Sequence, residues 1–141
     1  MNNKGLLHKL MLLIILVAGF GLALFLPWLK RHTDEQHAQQ AVQVLQTLTA
    51  QERQFYQRSG FYMADFDQLQ IPAFCQNAVK NGQSILQCPG YEVALEQAGI
   101  LYARSEKYPQ WFSAAVEQNV VTCEYEEGSW VGQYLCKKVR L

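Results

Sequence analysis

The chain opens on an apolar block. From Leu10 to Leu29 no residue is charged, and Leu, Ile, Val and Phe fall on every side of the helix these residues would form. At about 1.5 Å per residue that helix spans roughly 30 Å, the thickness of a bilayer's hydrocarbon core. From His32 to Ser59 the pattern becomes a stripe. Ala38, Ala41, Val42, Leu45, Leu48, Phe55 and Tyr56 recur mostly at three- and four-residue intervals, with Gln, Glu and Arg on the other faces. This is the signature of an amphipathic helix, and no glycine or proline interrupts it before Gly60. The simplest reading is one helix from Leu6 to Ser59, about 80 Å long. It is kinked at Pro27, whose ring removes one backbone bond and crowds the preceding turn. Thr33 and Gln36 offer an alternative, a capping box that opens a second helix after a break.

Residues 60–90 read as a connecting loop. Phe61, Tyr62, Phe66 and Phe74 supply packing, a helical turn is placed over Asp65–Leu69, and Asn81-Gly82 marks a sharp turn. From Tyr91 the period shortens. The runs YEVALEQ, ILYARSE, WFSAAVEQ, VVTCEYE and QYLCKKVRL are short and partly alternating. Between them stand Ala98-Gly99, Tyr108-Pro109, Gln118-Asn119 and Glu127-Gly128-Ser129. This spacing predicts an antiparallel meander of about four or five strands over 91–141. Such a sheet has one apolar face that needs cover, and the striped helix provides it. The predicted class is α+β: a long N-terminal helix with a transmembrane half (6–31) and an amphipathic half (32–59), a connecting loop (60–90) and a small antiparallel sheet (91–141).

The apolar run is longer than the roughly 7–15 residues of a signal-peptide core. Pro27, Trp28, Leu29, Lys30 and Arg31 follow it where a small-residue cleavage site would stand. A membrane anchor fits better than a discarded signal. Lys4 and Lys9 on one side balance Lys30 and Arg31 on the other, so charge alone leaves orientation open. Cys75, Cys88, Cys123 and Cys136 all lie beyond the span, in two pairs with twelve residues between the members of each. Zinc sites use tighter pairs, and no histidine follows Cys75. Two local disulfides are the favoured arrangement, each contributing about 3 kcal/mol in the chain-entropy model. The two crossed connectivities and four free thiols stay open. Disulfides require an oxidising compartment, which puts the N-terminus in the cytoplasm and the bulk of the chain outside it.

The chain is neutral as a whole, but from His32 onward it holds 8 Lys/Arg against 12 Asp/Glu, a net of −4. An acidic domain repels nucleic acid. The tail Lys137, Lys138 and Arg140 is the one basic cluster there, read as a solvated strand end. The histidines (His8, His32, His37) form no Ser-His-Asp order or H-E-x-x-H motif, and no phosphate-binding glycine loop occurs. Glu52 with Asp65 and Asp67 reads as solvated surface acids. Trp111, Trp130 and Tyr134 read as core or, if exposed, as a subunit contact. No enzyme, metal or cofactor is expected.

The helix, the Gln/Ala-rich amphipathic segment, the stretch AQERQFYQRSGFYMADFDQL and the terminal Cys-Lys pair resemble those of type IV pilins and pseudopilins. Those precursors carry a short basic leader ending in glycine. The equivalent here is MNNKG (1–5), with cleavage between Gly5 and Leu6. Counted from Leu6, Gly19 and Pro27 fall fourteenth and twenty-second, where the family's helix carries a glycine and a proline. The family's disulfide near the C-terminus corresponds to Cys123 and Cys136, followed by Lys137. The resemblance is specific over residues 5–69 and architectural beyond. One departure stands out. The family's glutamate five places after the cut is replaced by Leu10, and His8 and Lys9 before it are atypical. The family's glutamate is thought to attract the N-terminal amine of a neighbouring subunit, so its loss argues against a repeating subunit and is compatible with an uncut chain. The resemblance implies a minor subunit of a pilus or secretion pseudopilus. Its partners would be inner-membrane lipid, other pilin subunits along the helix, and a prepilin peptidase. The alternative is an uncleaved single-pass protein whose outer domain binds another envelope component.

Overall fold

The computed structural model describes residues 3–63, 65–96 and 99–141. Met1 and Asn2 of the leader, and Gln97 and Ala98 of one expected turn, lie outside the described residues. The chain divides into two compact units, Met1–Thr33 and Asp34–Leu141. Among the described residues the element order is a helix, six strands and a second helix: an α+β fold, pilin-like in layout.

Helix α1 runs from Asn3 to Ser59 with Pro27 inside it. Proline has no N–H to give, so the Ala23 carbonyl loses its partner four residues on. The capping-box alternative is excluded. The Thr33 hydroxyl donates to the Leu29 carbonyl at 3.0 Å, a back-bond made in the middle of a helix. Gly60 ends α1 at φ +79°, its N–H reaching the Tyr56 carbonyl at 2.8 Å.

Within the second unit, Ala38, Ala41, Val42, Val44, Leu45 and Leu48 of α1 are all buried. They share one core with Leu86, Val93, Leu101, Ala103, Phe112, Ala114 and Val121 of the sheet. The amphipathic half thus covers the apolar face of the sheet, as the stripe predicts.

The sheet has six antiparallel strands in sequential order: β1 (Gln76–Lys80), β2 (Gln83–Cys88), β3 (Tyr91–Glu96), β4 (Ile100–Ser105), β5 (Gln110–Ala115) and β6 (Val120–Tyr125). The register places Leu86 opposite Val93, Val93 opposite Ala103, Ala103 opposite Phe112, and Phe112 opposite Cys123. Alternation along each strand then puts Ile85, Ala94, Tyr102 and Ser113 on the other face.

Three sequence expectations are corrected. The sheet begins at Gln76 rather than Tyr91, because the segment read as a loop contains the β1–β2 hairpin. Its turn is Asn81-Gly82, with φ of 52° and 78°. Positive φ at both central residues is the primed turn that matches strand twist. Likewise, Asp65–Leu69 forms a turn rather than a helical one, closed by the Leu69 N–H on the Phe66 carbonyl at 3.1 Å.

The third correction concerns QYLCKKVRL, which is helical. Helix α2 spans Trp130–Lys138. Ser129 caps it, its hydroxyl accepting from the Gly132 N–H at 3.1 Å. Gly132 and Leu135 face inward at helical spacing, and Lys137 and Lys138 sit in the last turn, where cations favour the helix dipole. The basic tail is therefore a helix end rather than a strand end.

The disulfides are Cys75–Cys88 and Cys123–Cys136, the local pairing. The first ties the residue ahead of β1 to the end of β2. The second ties β6 to α2.

Candidate membrane and assembly surface

The first unit is a helix with its apolar side chains turned outward on every side. From Leu6 to Leu29 the large hydrophobic residues are 40–72% exposed. This segment is long and apolar enough to cross a membrane. A surface of that extent requires an apolar environment, lipid or protein. The Gly5–Leu6 peptide bond lies inside α1. At Gly19 a β-carbon would meet nothing within 4 Å, so nothing within this chain requires glycine there. Toward the end of the apolar run, Phe25 stacks on Trp28 and Trp28 on His32, with ring centroids 5.7 and 5.8 Å apart.

The second unit fixes its own stretch of α1 to the sheet side through polar clamps. Asp34 accepts from the Lys107 ammonium at 3.1 Å through both oxygens, and from the Tyr108 hydroxyl at 2.6 Å. Glu35 accepts from the Tyr134 hydroxyl of α2. Gln39 pairs twice with the backbone of Arg140, donating to its carbonyl at 3.3 Å and accepting from its N–H at 3.1 Å. Gln51 makes the same double contact with Gln70, at 3.1 and 2.7 Å. In each case a side-chain amide stands in for a neighbouring strand. These glutamines read as solvated faces in the sequence, since only the tertiary fold brings the partner backbone to them.

Burial pushes the Tyr108 hydroxyl above its ordinary range, and Asp34 adds to this. A cavity of about 270 Å³ beside the clamp is lined by Asp34, His37, Tyr91, Lys107, Tyr108 and Leu135. That is below the usual size of a small-molecule site. Among the described residues no group of His, Cys, Asp and Glu is placed to hold a metal ion.

The three acids considered together in the sequence are not a pair of working carboxylates. Asp65 and Asp67 are exposed, Asp65 accepting from the Asp67 N–H at 3.2 Å and Asp67 from the Asn77 amide. Glu52 is a correction: it is 0% exposed, not a surface acid. It continues the α1 stripe one turn beyond Leu48, where a polar letter hides a core position. One oxygen accepts from the Met63 N–H at 3.1 Å, and the other has no partner among the described residues. Of the aromatics, Trp130 is exposed, Trp111 is half-buried on the uncovered face of the sheet, and Tyr134 packs at the core's edge.

Burial raises the Glu52 carboxyl above the ordinary glutamate range, and the Met63 hydrogen bond offsets this in part. The folded chain therefore keeps a proton that the unfolded chain has already lost. Its contribution to stability is full below the ordinary glutamate value, falls as pH rises toward the folded value, and then stays low. Glu52→Gln keeps an acceptor for Met63 and removes the titration. In urea denaturation of the detergent-solubilised chain between about pH 4 and pH 8, the variant should gain on the wild type as pH rises. A stability difference independent of pH would contradict this account.

Comparison of the chain with protein-family models, with curated proteins and with solved structures finds no match.

Proposed function

We propose that the chain is a structural subunit of a type IV pilus or a type II secretion pseudopilus. It acts in a minor role and is held in the inner membrane with its domain in the periplasm before assembly. The observation that carries this reading is the composition of α1: one half apolar and exposed on all sides, the other half the cover of a disulfide-braced antiparallel sheet. Burying each such side chain is worth about 1.5–3 kcal/mol against exposure to water. The apolar half is therefore not stable in water. It can leave lipid only for another apolar setting, and a bundle of like helices is one. Function on this reading is assembly rather than turnover.

Leu10 favours a minor role, because a carboxylate at that depth would call for a partner and leucine calls for none. The same residue, with His8 and Lys9, supports the second reading: a single-pass protein that keeps its leader and binds another envelope component through its outer domain. A photo-crosslinking residue at Leu16, which is exposed in α1, tests the assembly reading in the native cell. The proposal expects adducts whose crosslinked peptide is the apolar N-terminal helix of another subunit. Adducts with lipid alone would oppose it.

A further inference from the structure

Residues 1–33 contain Lys4, Lys9, Lys30 and Arg31 and no Asp or Glu, so the first unit carries all the positive excess of a chain that is otherwise acidic. Lys9 and Lys30 bracket the apolar run, and neither forms an ion pair among the described residues. In a regular helix, the twenty-one residues from Lys9 to Lys30 rise about 32 Å and bring the two side chains to within about 60° of the same face. That rise matches the hydrocarbon thickness of about 30 Å. With both Cα atoms near the hydrocarbon edges, the flexible stems of Lys9 and Lys30 carry each ammonium group outward to the headgroups of its own leaflet. Beside Lys30 and Arg31, the Phe25–Trp28–His32 column holds an exposed indole ring at the same depth, the position that tryptophan favours at a membrane interface.

We propose that Lys30 and Arg31, with Trp28, form a site for the phosphate of an anionic phospholipid in one leaflet, and that Lys9 with His8 engages the headgroups of the other. Charge complementarity identifies the chemistry. The spacing identifies the source, since a bilayer presents anions about this far apart at both ends of one helix and a soluble anion does not. The consequence is a span held at both surfaces, so that the anionic lipid content of the membrane sets how readily the helix leaves it. This rests on the membrane-insertion part of the proposed function and not on assembly.

The test uses the full chain reconstituted in bilayers of equal phosphatidylglycerol and phosphatidylcholine, with retained lipids weighed by native mass spectrometry. The expected result is retention of phosphatidylglycerol over phosphatidylcholine by about fivefold per basic residue engaged. Lys30→Gln with Arg31→Gln should remove much of the preference, Lys9→Gln should remove the remainder, and Lys30→Arg should keep it. Equal retention of both lipids, unchanged preference in the neutralised variants, or equivalent adducts from inorganic phosphate alone would each overturn the inference. A parallel measurement in pure phosphatidylcholine separates the two claims. Failure to insert there contradicts the membrane reading itself, whereas insertion without lipid preference contradicts only the headgroup site.

Discussion

Replacing Phe112 by alanine lowers the stability of the second unit by about 3–5 kcal/mol. Phe112 is 0% exposed at the middle of β5. It lies opposite Ala103 on β4 and Cys123 on β6, and its ring packs 5.7 Å from that of Tyr91. Few side chains in this core are as large, and the neighbours sit on strands whose register prevents collapse into the space left. The cost combines lost burial with an unfilled cavity. Urea denaturation of the detergent-solubilised chain, followed by tryptophan fluorescence, measures it. A loss under about 1 kcal/mol would show that the core is not organised around β5.

The second large effect belongs to the disulfides. Opening either one, by Cys75→Ser with Cys88→Ser or by Cys123→Ser with Cys136→Ser, should cost about 3 kcal/mol, since each closes a loop of similar length. The structural outcomes differ. Without Cys123–Cys136, helix α2 keeps its Ser129 cap, the buried Leu135 and the Tyr134 contact to Glu35. Its release from β6 should therefore be partial. Without Cys75–Cys88, β2 keeps its pairing with β3 and its buried Ile85 and Leu86, whereas beyond its pairing with β2 the edge strand β1 keeps only polar surface contacts such as Lys80–Glu92 and Asn77–Asp67. Val79 in β1 is 77% exposed and adds little. Limited proteolysis should cut first near β1 in that variant and near α2 in the other. Identical cleavage patterns would refute the assignment of the two bonds to separate elements.

These elements also show what a reader of the sequence can and cannot see. The membrane-length run and the α1 stripe are legible because periodicity survives without tertiary context. The cysteine spacing favours the observed pairing for the same local reason, and Asn81-Gly82 announces its turn because few other residues accept positive φ. The β1–β2 hairpin is illegible because β1 is an edge strand exposed on both faces, so QNAVK shows no alternation. Helix α2 is misread because Tyr134, Cys136 and Val139 of QYLCKKVRL carry strand-favouring letters. Its cap and its inward Gly132 and Leu135 decide the matter only once β6 lies beside it. Glu52 and the two bridging glutamines are illegible for a tertiary reason: their partners, Met63, Gln70 and Arg140, are backbone groups brought in by the fold. The assembly surface is legible as composition alone, since its meaning depends on what surrounds the helix.

The account holds that the apolar half of α1 is the working part of a processed subunit, with Leu6 as its first residue. The intact mass of the protein extracted from the membranes of its native cell tests this most directly. The account predicts a chain lacking MNNKG, with or without an added N-methyl group. A full-length mass, with Met1 to Gly5 still attached, would contradict it.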